Sequence, residues 1–576
     1  MYLSKGLESE EPLHISYTEQ RHRDLAECHV VNMDRRQFLQ SSIALSALTG
    51  ASSSLSNQDW KAGPVEHLIP SANHSHISLK AVFSRQINDS GLLIDGKKIN
   101  GRSTDSTGRG FAFDAKDLRP NTRYELALME GETRLTDSWF LSTMPDPKSR
   151  PEHLRLLIFT CAGGHPLMSE GEQSPFLPQS TRRRLLQRGL SFKPHAMIAI
   201  GDHVYWDQRT WLESSKASIR DFSSGLYDAV GMLDRGAPAY GGNNEEILKI
   251  VAGEQITPLY GTELRSTPSY FINDDHDYFE NDEATDRYVT LPPESYQKQF
   301  FSFVRDHFLP DFLPSADVPN MLSGTLRNGH SRHFGALRWG RLSETLMYDC
   351  AGFLSLKGKT AGLVPPEVER WLCNRTTDET VEQLMHIPSH PFGWSAGKWR
   401  EWYPDVADSG QTGTQTAKMY ADGQRFQLTT GKSKFMWQKG WWNQHQRLLE
   451  CLSNQKRRPG LVLSGDLHAT GHSQIVGSGD LSFASNPIHS IITGPLGTGS
   501  GWPSKARGTP PTVASHIRVD SPAPVTERNG FTLLDITPDN VRMRLFAWRR
   551  ENSSLTDIDA LEPYHDVKIK KQGSSI

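Results

Sequence analysis

The sequence predicts an α/β protein with a small β-sandwich in front of the main domain. From residue 153 onwards, buried apolar runs of strand length alternate with helical and loop stretches, which is typical of layered α/β folds. From 75 to 143, short alternating strands follow one another without helical periodicity. Because 576 residues exceed one compact core, we expect a β-sandwich over 75–143, a large domain over 153–552 and a tail over 553–576.

The expected β-sandwich contains a corner motif. Its strands are ISLKAVFS, GFAFDA, RYELALME and DSWFLST, separated by Gly, Asn and Pro. The run LRPNTRY, which ends at Tyr124, resembles the tyrosine corner of fibronectin-type domains, in which a Tyr hydroxyl ties a loop back onto a strand. We therefore expect a fibronectin-like sandwich, followed by a linker over 144–153.

The large domain contains six runs that we expect to form buried strands. The runs are Leu154 to Thr160, His195 to Ile200, Ser269 to Ile272, Glu344 to Tyr348, Leu461 to Ser464 and Ser490 to Thr493. Near the end, FTLLDI and VRMRLFAWR flank a turn at 537–540 and predict a β-hairpin. Segments 209–262, 284–330 and 375–440, rich in Gly, Trp and polar residues, are interpreted as elaborations around a site, and Trp441 and Trp442 as core packing.

Composition excludes several classes of protein. An apolar content of 36%, a charged content of 22% and a net charge of −3 are typical of a globular chain and contain no signal for nucleic-acid binding. No stretch reaches the ~20 apolar residues of a membrane helix. Five cysteines without CxxC spacing indicate neither a zinc knuckle nor a disulfide-stapled scaffold. We interpret the basic run at 182–184 as a solvated helix face.

The N-terminal region resembles an export signal. Residues 34–55 read DRRQFLQSSIALSALTGASSSL, in which Arg35 and Arg36 precede an aromatic residue, a short apolar run and small residues. This pattern is similar to a twin-arginine signal, which we assign to 33–58. Residues 1–32 are polar and without hydrophobic periodicity, so we expect them to be an upstream extension, with Met33 as the start. The protein is then expected to use the twin-arginine export machinery and to be periplasmic or secreted.

Potential metal ligands follow four of the apolar runs directly. The residues are Cys161; Asp202, Tyr205 and Asp207; Asp274, Asp275, His276 and Asp277; and Asp466 and His468. Ligands bind beyond the carboxyl ends of strands in open α/β sheets, so these side chains are candidates for one site. The Asp-Asp-His-Asp run sets three carboxylates around one histidine, and these repel one another unless solvent or a cation neutralises them. The joint occurrence therefore predicts a metal site.

The order of these motifs resembles a known family. The strand-Cys, GDHVYWD, DDHDYFEND, LMYDC and SGDLHA segments are similar, in order and spacing, to the alkaline phosphatase D (PhoD-like) branch of the calcineurin-like metallophosphoesterases. The resemblance spans roughly residues 76–550. It implies a four-layer α/β/β/α metallophosphoesterase sandwich that holds iron and a divalent metal, for which calcium is favoured and zinc, manganese and magnesium are alternatives.

Carried over residue by residue, the resemblance also implies roles. The implied metal ligands are Cys161, Asp202, Tyr205, Asp275, Asp466 and His468, and the implied catalytic residues are His276 and Asp277. His276 matches the histidine that contacts the substrate phosphate, and Asp277 is expected to orient it because the two are adjacent. Asp207, Asn281 and Asp282 are further candidates for supporting or turn roles. Asp349 matches a family Asp, but Ala351 replaces the usual basic residue, a departure that bears on substrate contacts from this loop.

The expected function is an exported phosphoester hydrolase in which a metal-bridging hydroxide attacks phosphorus. Phosphodiesterase or phospholipase D-type activity on the same centre is an alternative, because monoesters, diesters and phospholipids can use the same metals. A non-catalytic envelope-binding protein is an alternative of another class. The Gly-rich loop at 494–501 could lie at the mouth of the site, but it lacks the GxxxxGK[ST] phosphate-loop pattern, and we interpret it as a surface loop.

Overall fold

A computed structural model gives the fold of most of the chain. It describes residues 60–169, 174–214, 216–282, 290–319, 322–326, 328–355, 360–395, 415–416, 427–428, 439–499, 504, 510–514, 516–549 and 553–570. The expected extension over 1–32 and the expected signal over 33–58 lie outside these residues. So do residues 396–414, 417–426 and 429–438 of the elaboration expected over 375–440.

Two small sheets form the N-terminal β-sandwich. Its strands are β1 (Val65–Ala72), β2 (Ile77–Phe83), β3 (Ser90–Ile94), β4 (Lys97–Asn100), β5 (Arg102–Ser103), β6 (Gly110–Ala115), β7 (Arg123–Glu130), β8 (Thr133–Arg134) and β9 (Trp139–Ser142). One sheet has the order β1-β2-β6-β5; the other has β4-β3-β7-β8, with β9 also on β7. Apolar side chains of both sheets share one buried cluster. The Tyr124 hydroxyl accepts a hydrogen bond from the Arg119 backbone N–H at 2.7 Å, which is the contact expected of a tyrosine corner.

The sandwich starts earlier than the sequence indicated. We expected it to begin at residue 75, but β1 already pairs with β2 from Val65 onwards. Strand β1 is buried at seven of its eight positions, so it lacks the alternation of polar and apolar residues that identified the other strands.

A six-stranded sheet carries the first half of the large domain. Its strands are β10 (Leu154–Thr160), β11 (Ala196–Ile200), β12 (Ser269–Ile272), β25 (Asn529–Ile536), β26 (Asn540–Trp548) and β27 (Pro563–Lys570), in the order β12-β11-β10-β25-β26-β27. Strands β10, β11 and β12 are parallel, whereas β25 and β26 form the predicted hairpin. The segment after 553 was expected to be a tail, but β27 pairs antiparallel with β26 and extends the sheet. Its alternating pattern has only one fully buried residue, which is why it does not stand out as a strand in the sequence.

A second, eight-stranded sheet carries the other half. Its strands are β13 (Phe334–Trp339), β14 (Ser343–Tyr348), β15 (Gln383–Pro388), β19 (Gly460–Ser464), β20 (Thr470–Ser478), β21 (Leu481–Ser482), β22 (Ile488–Thr493) and β24 (Ile517–Thr526). The order is β13-β14-β15-β19-β22-β20-β21, with β24 on β20, and β14, β15, β19 and β22 are parallel. Two short pairs complete the strands: β16 (Trp394–Ser395) with β23 (Thr512–Val513), and β17 (Gln415–Thr416) with β18 (Gln427–Leu428).

Helices cover the sheets. They are α1 (Gln179–Ser191), α2 (Gln208–Leu212), α3 (Ala217–Val230), α4 (Asn243–Tyr260), α5 (Ser295–His307), α6 (Pro366–Thr377) and α7 (Lys439–Ser453). One apolar cluster joins α1, α4 and α5 to one face of the six-stranded sheet. A second joins α6 and α7, including the fully buried Trp441, to the eight-stranded sheet. A third contains side chains of both sheets. No helix of the described residues is long and apolar enough to cross a membrane.

Cys373 on α6 and Cys451 on α7 form a disulfide, with their Cα atoms 5.5 Å apart. The spacing of the cysteines gave no indication of it, because its two halves are 78 residues apart and meet only when the helices pack.

Candidate metal centre

The predicted strand ends meet at one place. Strand β10 leads to Cys161, β11 to Asp202, β12 to Asp275 and β19 to Asp466, each at the carboxyl end of a parallel strand. Side chains at these ends form three groups whose possible ligand atoms lie within 4.8 Å of one another in each group. The groups are Cys161, Asp202 and His468; Asp202, Asp275 and His276; and Asp274, His390 and Asp466. The two sheets thus contribute to one centre.

The first group is extended by a phenol. The Tyr205 hydroxyl donates to Asp202 Oδ2 at 2.7 Å and lies 3.1 Å from His468 Nε2, which in turn lies 3.5 Å from the same carboxylate oxygen. Cys161 is fully buried. Thiol, phenol, carboxylate and imidazole therefore converge, as the predicted ligand set requires.

Asp202 belongs to two groups. Its carboxylate lies close to the possible ligand atoms of Cys161 and His468 and to those of Asp275 and His276. Its Oδ1 is buried and receives no hydrogen bond among the described residues, which is costly for a carboxylate unless a cation takes that place. Asp202 is therefore a candidate ligand in both groups.

The third group contains two residues that sequence reasoning did not assign as ligands, Asp274 and His390. His390 Nδ1 lies 2.9 Å from Asp274 Oδ1, and both side chains are buried. His390 follows β15, a buried strand, so the strand-end rule that identified the other ligands also applies to it. The sequence predicts only an elaboration over 375–440, without a strand before His390, and His390 is therefore not identified as a strand-end residue.

His276 is oriented by Asp207. Its Nδ1 lies 2.9 Å from Asp207 Oδ1, so Nε2 is the ring nitrogen that is not paired with Asp207. Burial alone would lower the pKa of His276, but the carboxylates of Asp207, Asp275 and Asp202 raise it to about 10. The imidazole is therefore held in its protonated, hydrogen-bond-donating form when no metal is bound.

Asp277 has a different place from the one expected. Its carboxylate accepts hydrogen bonds from the backbone N–H groups of Asp202 at 3.0 Å, His203 at 2.8 Å and Asp274 at 2.9 Å. It ties the β11 loop to the β12 loop, and the orienting role suggested by adjacency falls to Asp207. Neighbouring residues in a tight 3₁₀ turn point in different directions, so adjacency in sequence was a poor guide.

The backbone is strained at the centre. Cys161, Asp202, Asp466 and His468 have φ values of 47°, 56°, 67° and 50°, in the left-handed region that non-glycine residues rarely adopt. Such residues cluster at functional sites, where the surrounding structure holds them in place. Gly201, before Asp202, has a φ of 62°, and a Cβ there would lie 2.3 Å from the Asp274 Cβ. The two ligand loops can approach only because this residue is glycine.

The donors need a cation to ionise together. Burial, and then the Asp202 carboxylate, raise the pKa of the Cys161 thiol and the Tyr205 phenol well above their usual values. Burial, together with Asp277 and Asp466, also raises the pKa of Asp202. These buried acids suppress one another's ionisation. A multivalent cation would reverse this effect, because thiolate, phenolate and carboxylate bind metals in their deprotonated forms. The residues present therefore fit a metal centre.

Arg182 supports the Cys161 loop. We expected 182–184 to be a solvated helix face, but the Arg182 side chain is 0% exposed. Its guanidinium donates to the carbonyls of Leu177, Ala162 and Gly164 and to the Ser169 hydroxyl, at 2.8 to 3.3 Å. The expectation was wrong for Arg182 because a planar guanidinium can satisfy several loop carbonyls at once.

We predict that Arg182→Gln lowers stability by at least about 3 kcal/mol, because several buried carbonyls lose their donor at once. Metal retention after dialysis should fall with it, since the lost bonds hold residues 162–164. Arg184→Gln is the matched control on the same helix: Arg184 pairs with Asp559 at the surface, so its loss should cost less than about 1 kcal/mol. Denaturant unfolding measures the stability of the two variants, and metal analysis measures their metal retention. Equal effects of the two substitutions would contradict the role of Arg182 in supporting the Cys161 loop.

Two further sequence features lie close to the centre. Residues 494–499 of the expected surface loop instead pack beside the Cys161 loop: Thr160 N donates to Gly494 O at 3.0 Å and Gly497 N to Cys161 O at 2.8 Å. Asp349 is fully buried and accepts hydrogen bonds from the Tyr278 hydroxyl at 2.5 Å and the Gly352 backbone N–H at 2.8 Å. It therefore supports the loop after β12, and its carboxylate is turned to protein donors.

An arrangement of metal-type ligands at the strand ends of two mixed sheets defines a metal-binding α/β protein. Among solved structures, the chain is similar to PhoD, with a TM-score of 0.55 at 11% identity over 91% of this chain and 94% of that one. It is also similar to the purple acid phosphatase PPD1 from yellow lupin (Lupinus luteus) seeds, with a TM-score of 0.49 at 11% identity over 88% and 75% of the two chains. No family model matches the sequence, and no curated protein does. The likeness in fold to PhoD agrees with the resemblance that the motifs indicate.

Proposed function

We propose that the protein is a metal-dependent phosphoester hydrolase of the alkaline phosphatase D type. The observation that carries the proposal is the convergence of Cys161, Asp202, Tyr205 and His468 beside His276, to which we assign the contact with the substrate. The likeness in fold to PhoD supports it. The four-layer α/β/β/α architecture and the fibronectin-like character of the sandwich belong to the same proposal, and the three apolar clusters of the large domain support the layering.

Two sets of residues would hold the metals. Cys161, Asp202, Tyr205 and His468 would hold iron, because anionic sulfur and oxygen donors suit it. Asp274, His390 and Asp466 would hold the divalent metal, while Asp275 lies beside Asp202 and His276. Asp202 is assigned to both metals because the Asp466 carboxylate is close enough to raise its pKa. Calcium was the metal favoured by the resemblance, but calcium takes oxygen ligands almost exclusively. The imidazole of His390 therefore favours manganese or zinc over calcium at the second position.

When bound, such metals neutralise charge on a phosphoryl group and lower the pKa of an attacking water. Side chains of the protein would supply the remaining contacts with the substrate. His276 Nε2 would donate a hydrogen bond or a proton to the phosphate or the leaving oxygen, while Asp207 on Nδ1 fixes the orientation of the ring. The Tyr205 ring lies 4.1 Å from the His276 ring, centroid to centroid, and restricts its motion.

The test is metal content together with hydrolysis. We expect the purified protein to contain iron and a second metal and to hydrolyse p-nitrophenyl phosphate, bis-p-nitrophenyl phosphate or both. Chelation should abolish turnover, and the restored metals should recover it. The faster of the two esters decides between monoesterase and diesterase, and a phospholipid substrate tests the phospholipase D-type alternative. A folded protein that binds no metal and turns over no ester would refute the proposal and favour the envelope-binding alternative.

We also propose export by the twin-arginine route, on the basis of Arg35 and Arg36. The disulfide between Cys373 and Cys451 supports this, because such bonds persist in oxidising compartments and are rare in the cytosol. A metal centre assembled before export is compatible with a pathway that carries folded proteins.

Replacing Arg35 and Arg36 with Lys is expected to stop export and to leave the protein inside the cell with Cys373 and Cys451 reduced. Fractionation measures the location, and alkylation followed by mass analysis measures the thiols. Lys substitutions at Arg21 and Arg23, in the expected upstream extension, are the control and should not alter export. Unchanged export of the Arg35 and Arg36 variant would contradict the assigned signal.

A further inference from the structure

A second cluster of metal-type ligands lies away from the centre, between the β-sandwich and the large domain. It consists of His76, Asp114 and His330, whose ligand atoms lie within 4.8 Å of one another. His76 precedes β2 and Asp114 lies on β6, so both belong to the sandwich, whereas His330 precedes β13 of the large domain. None of these residues takes part in the proposed hydrolysis.

Strand pairing brings the first two ligands together. Ser78 on β2 pairs with Asp114 on β6, and His76 lies two residues before Ser78, so it shares a face with Asp114. His76 Nε2 lies 3.2 Å from Asp114 Oδ1. Two ligands of a tetrahedral zinc ion, each about 2.0 to 2.1 Å from the metal, are about 3.3 Å apart, so this pair already has the required separation.

His330 approaches the same carboxylate from the large domain. Its Nε2 lies 3.9 Å from Asp114 Oδ1, beyond hydrogen-bond distance, so binding needs a closure of about half an ångström. A tight turn holds His330: its backbone N–H donates to Asn328 Oδ1 at 3.1 Å, and its carbonyl accepts from Leu326 N at 2.7 Å. The His76 and His330 rings meet edge to face, with their centroids 5.3 Å apart, rather than forming a hydrogen bond.

The His330 side chain points independently to a ligand. The residue is 3% exposed, and its Nε2 is buried with no hydrogen-bond partner among the described residues. Buried polar atoms are nearly always satisfied, and an exception calls for an unseen ion or water. An imidazole nitrogen directed at a carboxylate and a second imidazole is in the position of a metal ligand.

We propose that His76, Asp114 and His330 form a zinc site that joins the β-sandwich to the large domain. Two imidazoles and one carboxylate suit zinc among the common divalent ions. The fourth position would be taken by water, because the Asp114 side chain is 36% exposed and the site opens to solvent on that side. The bound metal would add a link to existing contacts such as the Asn73 amide, which donates to the Pro314 carbonyl at 3.0 Å.

The experiment measures zinc binding to the metal-loaded protein, so that the proposed hydrolytic centre is filled beforehand. Wild type, His330→Gln, Asp114→Asn and His74→Gln are equilibrated with micromolar zinc, dialysed and analysed for metal. His74 lies in the same turn as His76 but outside the cluster, which makes His74→Gln the matched control. Parallel samples receive cobalt in place of zinc, because four-coordinate cobalt absorbs visible light.

We expect wild type and His74→Gln to bind one more zinc per chain than His330→Gln and Asp114→Asn. The zinc affinity of this site should fall by more than about tenfold in His330→Gln and Asp114→Asn, because even the loss of a residue that only supports a metal ligand lowers affinity by about that factor. The visible absorption band of bound cobalt should disappear in the same two variants, while ester hydrolysis stays the same in all four proteins. If one variant does not fold, the other still tests the site. Equal zinc content and equal cobalt spectra in the folded variants and wild type would overturn the site, whatever the outcome for the hydrolase.

Discussion

Asp202→Asn is expected to remove both metals and to reduce kcat/KM by more than about 10³-fold, because loss of the metals removes the main stabilisation of charge in the transition state. Asp202 belongs to the group with Cys161 and His468, and its carboxylate also interacts with Asp466 of the group proposed to hold the second metal. The asparagine side chain retains the volume but loses the charge that two cations would share. Plasma emission measures the metals, and ester turnover measures activity.

The matched comparisons for this prediction come from the same protein. Cys161→Ser should lower iron more than the second metal, because Cys161 belongs to only one of the groups. Asp535→Asn, in an ion-pair cluster with Arg155 and Arg544 at the end of β10 opposite Cys161, should change neither metal. If Asp202→Asn retained both metals and full activity, the bridging assignment would be wrong, and the groups would act as separate sites.

His276→Gln is expected to lower kcat by about 10² to 10⁴-fold while both metals remain bound, which is the range for losing a general acid or donor. This combination separates His276 from the ligands, whose loss removes metal and activity together. His195→Gln is the control, because His195 lies just before the start of β11, at the end of the strand opposite the centre, and it should leave kcat close to that of wild type. Loss of metal from His276→Gln would show that His276 is a ligand and not a substrate contact.

Asp207→Asn tests the orientation of that histidine. A fall in kcat of about 10 to 100-fold is expected, because the ring loses its ionic partner but keeps its position under Tyr205. The same substitution at Asp277 should instead lower stability, since its carboxylate holds three backbone N–H groups. If Asp277→Asn lowered kcat without lowering stability, Asp277 would have the role of orienting His276 that its position next to this residue suggests.

Strands and ligand types were predictable to a large extent. The runs that end at Cys161, Asp202 and Asp466 form parallel strands close to their predicted limits, because buried strands in α/β sheets are short, apolar and followed by the polar residues of a ligand site. The hairpin at 537–540 was predicted for a similar reason, since the turn residues and the flanking apolar runs are local signals. These features depend on neighbouring residues alone.

Features that depend on distant partners were not predictable. His390 lies in a segment that the sequence indicates only as an elaboration around a site, and the pairing of β15 with β19 shows where it lies. Arg182 lies in a basic run that suggests solvent, and only the packed Cys161 loop shows what its guanidinium binds. Asp207 and Asp277 are both aspartates, and residue type alone does not show which of them contacts His276. Asp277 lies with His276 in a 3₁₀ turn, and Asp207 is the residue that contacts the ring.

The sequence by itself determined where most strands of the large domain lie along the chain, which potential ligands follow four of them and the metal-dependent chemistry that such ligands favour. Local periodicity and residue type are sufficient for this, because each strand and its terminal residues are contiguous. The tertiary structure alone decided that Asp202 is shared by two groups, that His390 completes a third, and that His330 meets His76 and Asp114 across a domain boundary. Such contacts join residues far apart in the chain, and only the packing of the sheets brings them within bonding distance.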